Sequence, residues 1–183
     1  MTAAPGPGSD PVDALLGAWR AELPDVLRPS TELSKRITQL AGALDQATRR
    51  ILPELGLTVA EFDILAALRR AGEPYAMKPN ALGRALLLSS GGISNVVNHL
   101  AARGLVLREP SSDDGRSTVI RLTGDGVSCA EHAVRTHADA HEAVFAEASP
   151  TAVHAAARAL REVGVRPGPE PRPLRTGRNR SRS

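Results

Sequence analysis

The chain is poor in the residues that staple, stack or span. A single cysteine, Cys129, among 183 residues excludes an internal disulfide and any all-cysteine metal site within one chain. Aromatic residues amount to 2% against 42% hydrophobic residues overall, so the core is predicted to be Leu, Val, Ile and Ala rather than stacked rings. No run of about eighteen apolar residues occurs, which excludes a membrane-spanning helix. Met1 to Pro11 is rich in Pro and Gly and lacks the basic start and apolar centre of a secretory signal. A cytoplasmic protein with no membrane contact is the simplest expectation. A glycine-rich nucleotide loop, a paired-carboxylate arrangement and a nucleophile constellation are all missing, so neither an enzyme nor a bound cofactor is expected.

Charge is unevenly spread. The whole chain carries +3, yet residues 164–183 hold six arginines against one glutamate, leaving residues 1–163 slightly negative. Binding of an acidic polymer therefore depends on local placement of Lys78, Arg84, Arg103, Arg108 and Arg116, and on the tail. Residues 1–10 and the Arg-rich segment 164–183 are expected to be disordered.

Between these ends the pattern is mostly helical. Val12, Leu15, Leu16, Trp19 and Leu23 recur near helical spacing from Pro11 to about Asp25. Leu33, Ile37, Leu40, Leu44, Ala47 and Ile51 form a stripe from Ser30, the candidate N-cap, to about Leu52, where Pro53 stops it. Thr58 and Glu61 have the spacing of a capping box ahead of Phe62, Leu65 and Leu68. After Thr123, an Ala-dominated helix is predicted to about Ala148. Ser149-Pro150 then caps a last helix to about Val163.

Met77 to Gly126 organises the rest. A short helix from Pro79 to about Leu87 is followed by Ser89-Ser90-Gly91-Gly92 and a second helix to about Arg103, with Gly104 past its end. Ile93, Val96, Val97 and Leu100 are spaced to bury one side of that helix, leaving Ser94, Asn95, Asn98 and His99 on or near the other. Two β-prone runs, Leu105–Leu107 and Thr118–Leu122, flank the polar loop Pro110–Arg116. This order describes a winged helix-turn-helix, a reading helix for the major groove beside a loop that reaches the flanking backbone or minor groove. A small α+β domain whose helix pair only resembles one is the alternative.

Specific residues then carry a resemblance. Leu57-Thr58, Phe62, Ile64, Leu65, Leu82, Leu86, Ser89-Ser90-Gly91 and Leu100 resemble the MarR family of bacterial transcription regulators. So do Gly104-Leu105-Val106, Arg108-Glu109-Pro110, Asp114-Gly115-Arg116 and Leu122-Thr123-Gly124-Asp125-Gly126. The resemblance covers roughly residues 30–163. It implies a mostly α fold with a small β wing, dimerising through N- and C-terminal helices. On this reading residues 11–163 form one MarR-like domain, with the winged helix-turn-helix at about 57–123 and dimerisation helices at about 11–52 and 124–163. The implied function is a homodimeric, sequence-specific DNA-binding regulator, a repressor released from a palindromic operator by a small aromatic or anionic effector. The alternative is a non-catalytic dimeric or chromosome-associated module that binds nucleic acid mainly through its basic tail.

The resemblance also suggests roles. Arg116 would enter the minor groove, oriented by Asp114 two residues earlier; Gly115 stands where a commoner wing has a second arginine. Ser90, Ser94, Asn95, Asn98 and His99 are the candidates for double-stranded DNA contact, with Asn95 first for base readout; Lys78 and Arg84 would touch phosphate. The alternative for any one of these is a plain solvent-exposed side chain. Trp19, together with the Tyr75, Pro79 and Ser89-Ser90-Gly91 run, looks like the urate-responsive branch, which implies an effector site of Trp19, Asp63 and Arg108. Val96 stands where that branch carries an arginine, which puts urate itself in doubt. His137 and His141, four apart, have a spacing that suits zinc, but no third ligand is set by spacing, so exposed helix-surface histidines and no metal are expected. Cys129 is expected to be a buried or half-buried small residue.

Overall fold

Prolines and hydroxyl caps decide where the helices begin. In the computed structural model, which describes residues 10–86, 90–110 and 117–164, α1 (Pro11–Glu22) starts behind Asp10, whose carboxylate accepts the Val12 N–H at 2.9 Å. α2 (Pro29–Ile51) also begins at a proline. Ser30, expected as its cap, falls inside the first turn instead. Pro29 takes the first helical position, where its missing N–H costs nothing, and Arg28 becomes the cap, its N–H donating to the Thr31 hydroxyl at 3.0 Å. The chain leaves α2 through a 3-10 turn, Leu52–Leu55. α3 (Val59–Arg70) opens with the reciprocal box read from Thr58 and Glu61: the Glu61 N–H donates to Thr58 Oγ1 at 3.2 Å, and the Thr58 N–H donates to Glu61 Oε2 at 2.9 Å.

A helix pair and three strands follow: β1 (Ala76–Met77), α4 (Pro79–Leu86), α5 (Ser90–Ala102), β2 (Val106–Pro110) and β3 (Thr118–Leu122). The sheet is antiparallel with β3 central, pairing Val106 with Leu122 and Pro110 with Thr118 on one side, and Ala76 with Arg121 on the other. β1 was not expected from the sequence. It is two residues long and is entered through Tyr75, whose φ of 57° lies in the left-handed region. The Tyr75 ring lies under the Arg69 guanidinium, 4.8 Å from its centroid, and Arg69 in turn donates two hydrogen bonds to Glu131 Oε1 at 3.0 and 2.8 Å.

α6 (Gly124–Val144) is capped by Thr123, whose hydroxyl accepts the Gly126 N–H at 2.9 Å and donates to the Gly104 carbonyl at 2.7 Å. Gly126 must be glycine for a reason of space: a Cβ there would stand 1.9 Å from the Leu105 carbonyl oxygen. The core runs through α3, α4, α5, the sheet and α6, with Ile64, Leu65, Leu68, Leu82, Val97, Leu100, Val106, Ile120 and Ala130 essentially sealed from water. Phe62 is its aromatic member, in keeping with an aliphatic core.

Residues to Ala146 form one compact unit and those from Glu147 a second. The helix described in the second is α7 (Pro150–Val163), bounded as the sequence predicts and capped by Ser149, whose hydroxyl accepts the Ala152 N–H at 3.2 Å; α7 contains no buried residue. The two terminal segments expected to be disordered lie outside the described residues, except for Asp10 and Gly164. No helix among the described residues is long and apolar enough to cross a membrane.

Candidate nucleic-acid interface

α5 is two-faced because its apolar residues fall at helical spacing. Ile93, Val97 and Leu100 are buried to 2% exposure or less, which turns Ser94, Asn95, Asn98 and His99 outward; all four are exposed. Val96 is half-buried at the edge. α4 packs on both α3 and α5 through the sealed Leu82. Its first turn is closed by the Lys78 carbonyl, which accepts the N–H groups of Ala81 and Leu82 at 2.9 and 3.1 Å. Arg84 is exposed on α4 and Lys78 is half-exposed just before it. Ser90 belongs to the first turn of α5. Asp114 and Arg116, assigned to the wing, lie outside the described residues.

The far end of α5 is stopped by a two-bond motif. The Leu105 N–H donates to the Leu100 carbonyl and the Gly104 N–H to Ala101, both at 2.9 Å, with Gly104 at φ 70°. Arg103 is spent at this end: its Nη1 donates to the Gly56 carbonyl at 3.0 Å and to Glu61 Oε1 at 3.3 Å. It therefore joins α5 to the start of α3 and is not one of the free cations the sequence reading counted. Burial opposes ionisation of Glu61, but bonds from the Thr58 N–H and hydroxyl and from Arg103 outweigh it and hold the carboxyl below its ordinary pKa. Thr58 and Glu61, with Asn95, Val96 and His99, line a cleft of about 180 Å³ between the two helices.

Arg108 stands on β2 beside α5, and its Nη2 donates to Asn98 Oδ1 at 3.0 Å. Sequence reasoning counted Arg108 among the local cations and placed it with an effector, and missed this bond, since ten residues and a chain reversal separate the two. Among the described residues no hydrogen bond, ion pair or ring contact joins Trp19, Asp63 and Arg108 to one another. Trp19 is 43% exposed on α1. Asp63 is half-buried on α3, with no hydrogen-bond or ion-pair partner among the described residues, and burial raises its pKa.

The histidine pair of α6 departs from expectation. His137 and His141 are half-buried, not exposed, and both Nε2 atoms converge on Thr48 Oγ1 of α2 at 3.1 and 2.9 Å. His137 also stacks on Phe62, ring centroids 4.8 Å apart. Thr48 Oγ1 lies 3.0 Å from the Leu44 carbonyl, to which it donates, so both imidazoles present N–H to its lone pairs. Burial, then the neighbouring His141, depresses the pKa of His137. No group of three or more metal-ligating side chains occurs among the described residues. Cys129 is half-buried against the core.

Comparison with known proteins agrees with this geometry. A family model described as MarR family matches residues 55–117. The transcriptional regulator PecS of Dickeya dadantii is 30% identical over 128 residues, which span 70% of this chain and 77% of PecS. Two solved structures share the fold. A mutant of MarR from E. coli complexed with operator DNA superposes with TM-score 0.60 at 22% identity, covering 79% of this chain and 96% of that one. Bordetella bronchiseptica BpsR, whose structure addresses regulation of DNA binding by 6-hydroxynicotinic acid, superposes with TM-score 0.60 at 23% identity, covering 75% and 96%.

Proposed function

The chain belongs to the MarR family of transcriptional regulators, and from that premise we propose that it is a homodimeric repressor released from a palindromic operator by a small aromatic or anionic effector. One observation carries the reading: the outer face of α5 is an unbroken polar surface of Ser94, Asn95, Asn98 and His99 on a helix whose inner face is fully anchored. Such a helix enters a major groove without loosening its own packing, and serine and asparagine offer donors and acceptors to phosphate and base edges. Two copies about 34 Å apart would address successive turns of one duplex. α1 and α2 supply a reason for pairing, since Leu15, Trp19 and Ile37 each remain 40–43% exposed. α7 adds the exposed Leu160 and Val163 as further dimer contacts. On this reading Lys78 and Arg84 take phosphate and Arg116 of the wing would reach the flank, with Asp114 as its partner.

For the effector we favour Asp63 as the anchor. An unpartnered, half-buried carboxyl with a raised pKa weakens the empty protein, and a ligand that hydrogen-bonds to it relieves the penalty. Trp19 would cover the molecule, with Arg108 balancing its charge. The aromatic acid named as the regulator of DNA binding for BpsR supports this class. With Val96 in place of an arginine, urate itself is not the favoured member.

The test is binding of the purified protein to DNA flanking its own gene, with excess unrelated duplex, repeated across a panel of aromatic acids. A bound fragment with a two-fold footprint, released by a panel member that also quenches or shifts Trp19 fluorescence, is the expected result. Equal affinity for unrelated DNA would overturn the repressor reading. Release that persists undiminished in Asp63→Asn would remove Asp63 from the effector site.

A further inference from the structure

Asn95 and Asn98 project from the same face of α5, yet they are not equivalent. Asn95 has no hydrogen-bond partner among the described residues, so its amide turns freely and offers oxygen or nitrogen as a base requires. Asn98 is held, because Arg108 Nη2 sits 3.0 Å from its Oδ1. A guanidinium carries donors and no acceptor, so it donates only to the oxygen end of the amide, and the NH2 end must point away from β2. We propose that Arg108 is a positioning residue for base readout, making Asn98 a donor-led reader that favours an acceptor-rich base edge and rejects cytosine.

The chemistry is that of the major groove. Guanine presents N7 and O6 there, both acceptors, and thymine presents O4; cytosine presents an N4 amino group, a donor. An amide whose oxygen is tied back to Arg108 meets guanine or thymine with its N–H groups and meets cytosine donor against donor. With Arg108 gone, the amide is free to flip and present oxygen to the cytosine amino group, so the preference at that base pair relaxes. The bond reaches from strand β2 to the reading helix, so the residue that sets the preference is not itself on that helix. The inference rests on the DNA-reading function proposed above and refines it to one base position.

The experiment is selection of bound sequences from a randomised duplex library by the full-length dimer, run in parallel for wild type, Arg108→Met, Arg108→Lys, Asn98→Ala and the double variant. Arg108→Met retains an apolar stem of similar length without a donor, and both side chains are exposed, so folding is not put at risk. Wild type should enrich a two-fold motif with one position per half-site where cytosine is disfavoured by about tenfold, within the discrimination of one well-placed contact. Arg108→Met should lose that bias while neighbouring positions keep theirs, and Arg108→Lys, still a donor, should restore much of it. Asn98→Ala should lose the same bias, and adding Arg108→Met to it should change nothing further at that position. An Arg108→Met motif identical to wild type, with affinity lowered evenly across sequences, makes Arg108 a phosphate contact and overturns this inference alone. A wild-type protein that enriches no motif overturns it together with the function on which it rests.

Discussion

Two parts of the same unit are built to different standards of completeness. In the reading head, twelve-residue α3 buries six residues, and its partners Leu82, Val97, Leu100, Val106 and Ile120 are sealed from water. In α2, nearly twice as long, Ala47 is the single buried residue, and α1 buries only Val12 and Leu16. Both regions have helical apolar stripes. The head closes its stripes on one another, whereas the N-terminal segment leaves Trp19, Leu23, Val26 and Ile37 exposed. A stripe therefore reports that something will be covered, and only its surroundings tell whether the same chain does the covering.

The contrast breaks most readily in the head. Leu65→Ala should cost about 2–5 kcal/mol, read by chemical denaturation, and should abolish specific DNA binding. A loss below about half a kcal/mol would mean that the head is not the self-sufficient part. On the other side, Ile37→Asp puts a charge on the outward stripe. It should leave the folded helical content and the head intact by circular dichroism, while sedimentation shifts from dimer to monomer and operator affinity falls. A variant that remains dimeric would remove α2 from the interface and erase the contrast.

Smaller effects sharpen it. Glu61→Gln, within the head, weakens the bond to Arg103 and should cost about 1–2 kcal/mol. The folded pKa of Glu61 lies below its ordinary 4.5. Its contribution is thus present above about pH 4.5 and lost as pH falls through the folded value, so the deficit of the variant should close in acid. The smallest change belongs to the seam where α6 meets α2 and α3. His137 has a pKa below its ordinary 6.5, so between those two values the unfolded chain binds more protons than the folded one. Stability should fall as pH drops below about 6.5, and His137→Asn should flatten that slope in a series of melting curves. An unchanged slope would show that the imidazole titrates as freely folded as unfolded.

Local signals were legible wherever one turn of chain contains both partners. The Thr58–Glu61 box, the Gly104 stop, the Thr123 and Ser149 caps and the bounds of α7 all follow from residues three or four apart. Ser30 misled because two start signals compete there, and proline at the first helical position pushes the cap back to Arg28. β1 had too few residues for an alternating pattern and exists through its pairing with β3, more than forty residues away. The outward polar face of α5 was readable from periodicity. The commitments of Arg103 to Gly56 and Glu61, of Arg108 to Asn98, and of His137 and His141 to Thr48 were not, because each joins elements whose meeting depends on the finished fold.

The absent side chain at Gly126 has a mechanical consequence. With the first turn of α6 resting directly on the Leu105 backbone, no cushion of flexible atoms separates this helix from the base of the β2–β3 hairpin. Any side chain here would have to part the helix from the hairpin's base, so the smallest residue in the protein is what lets the two meet.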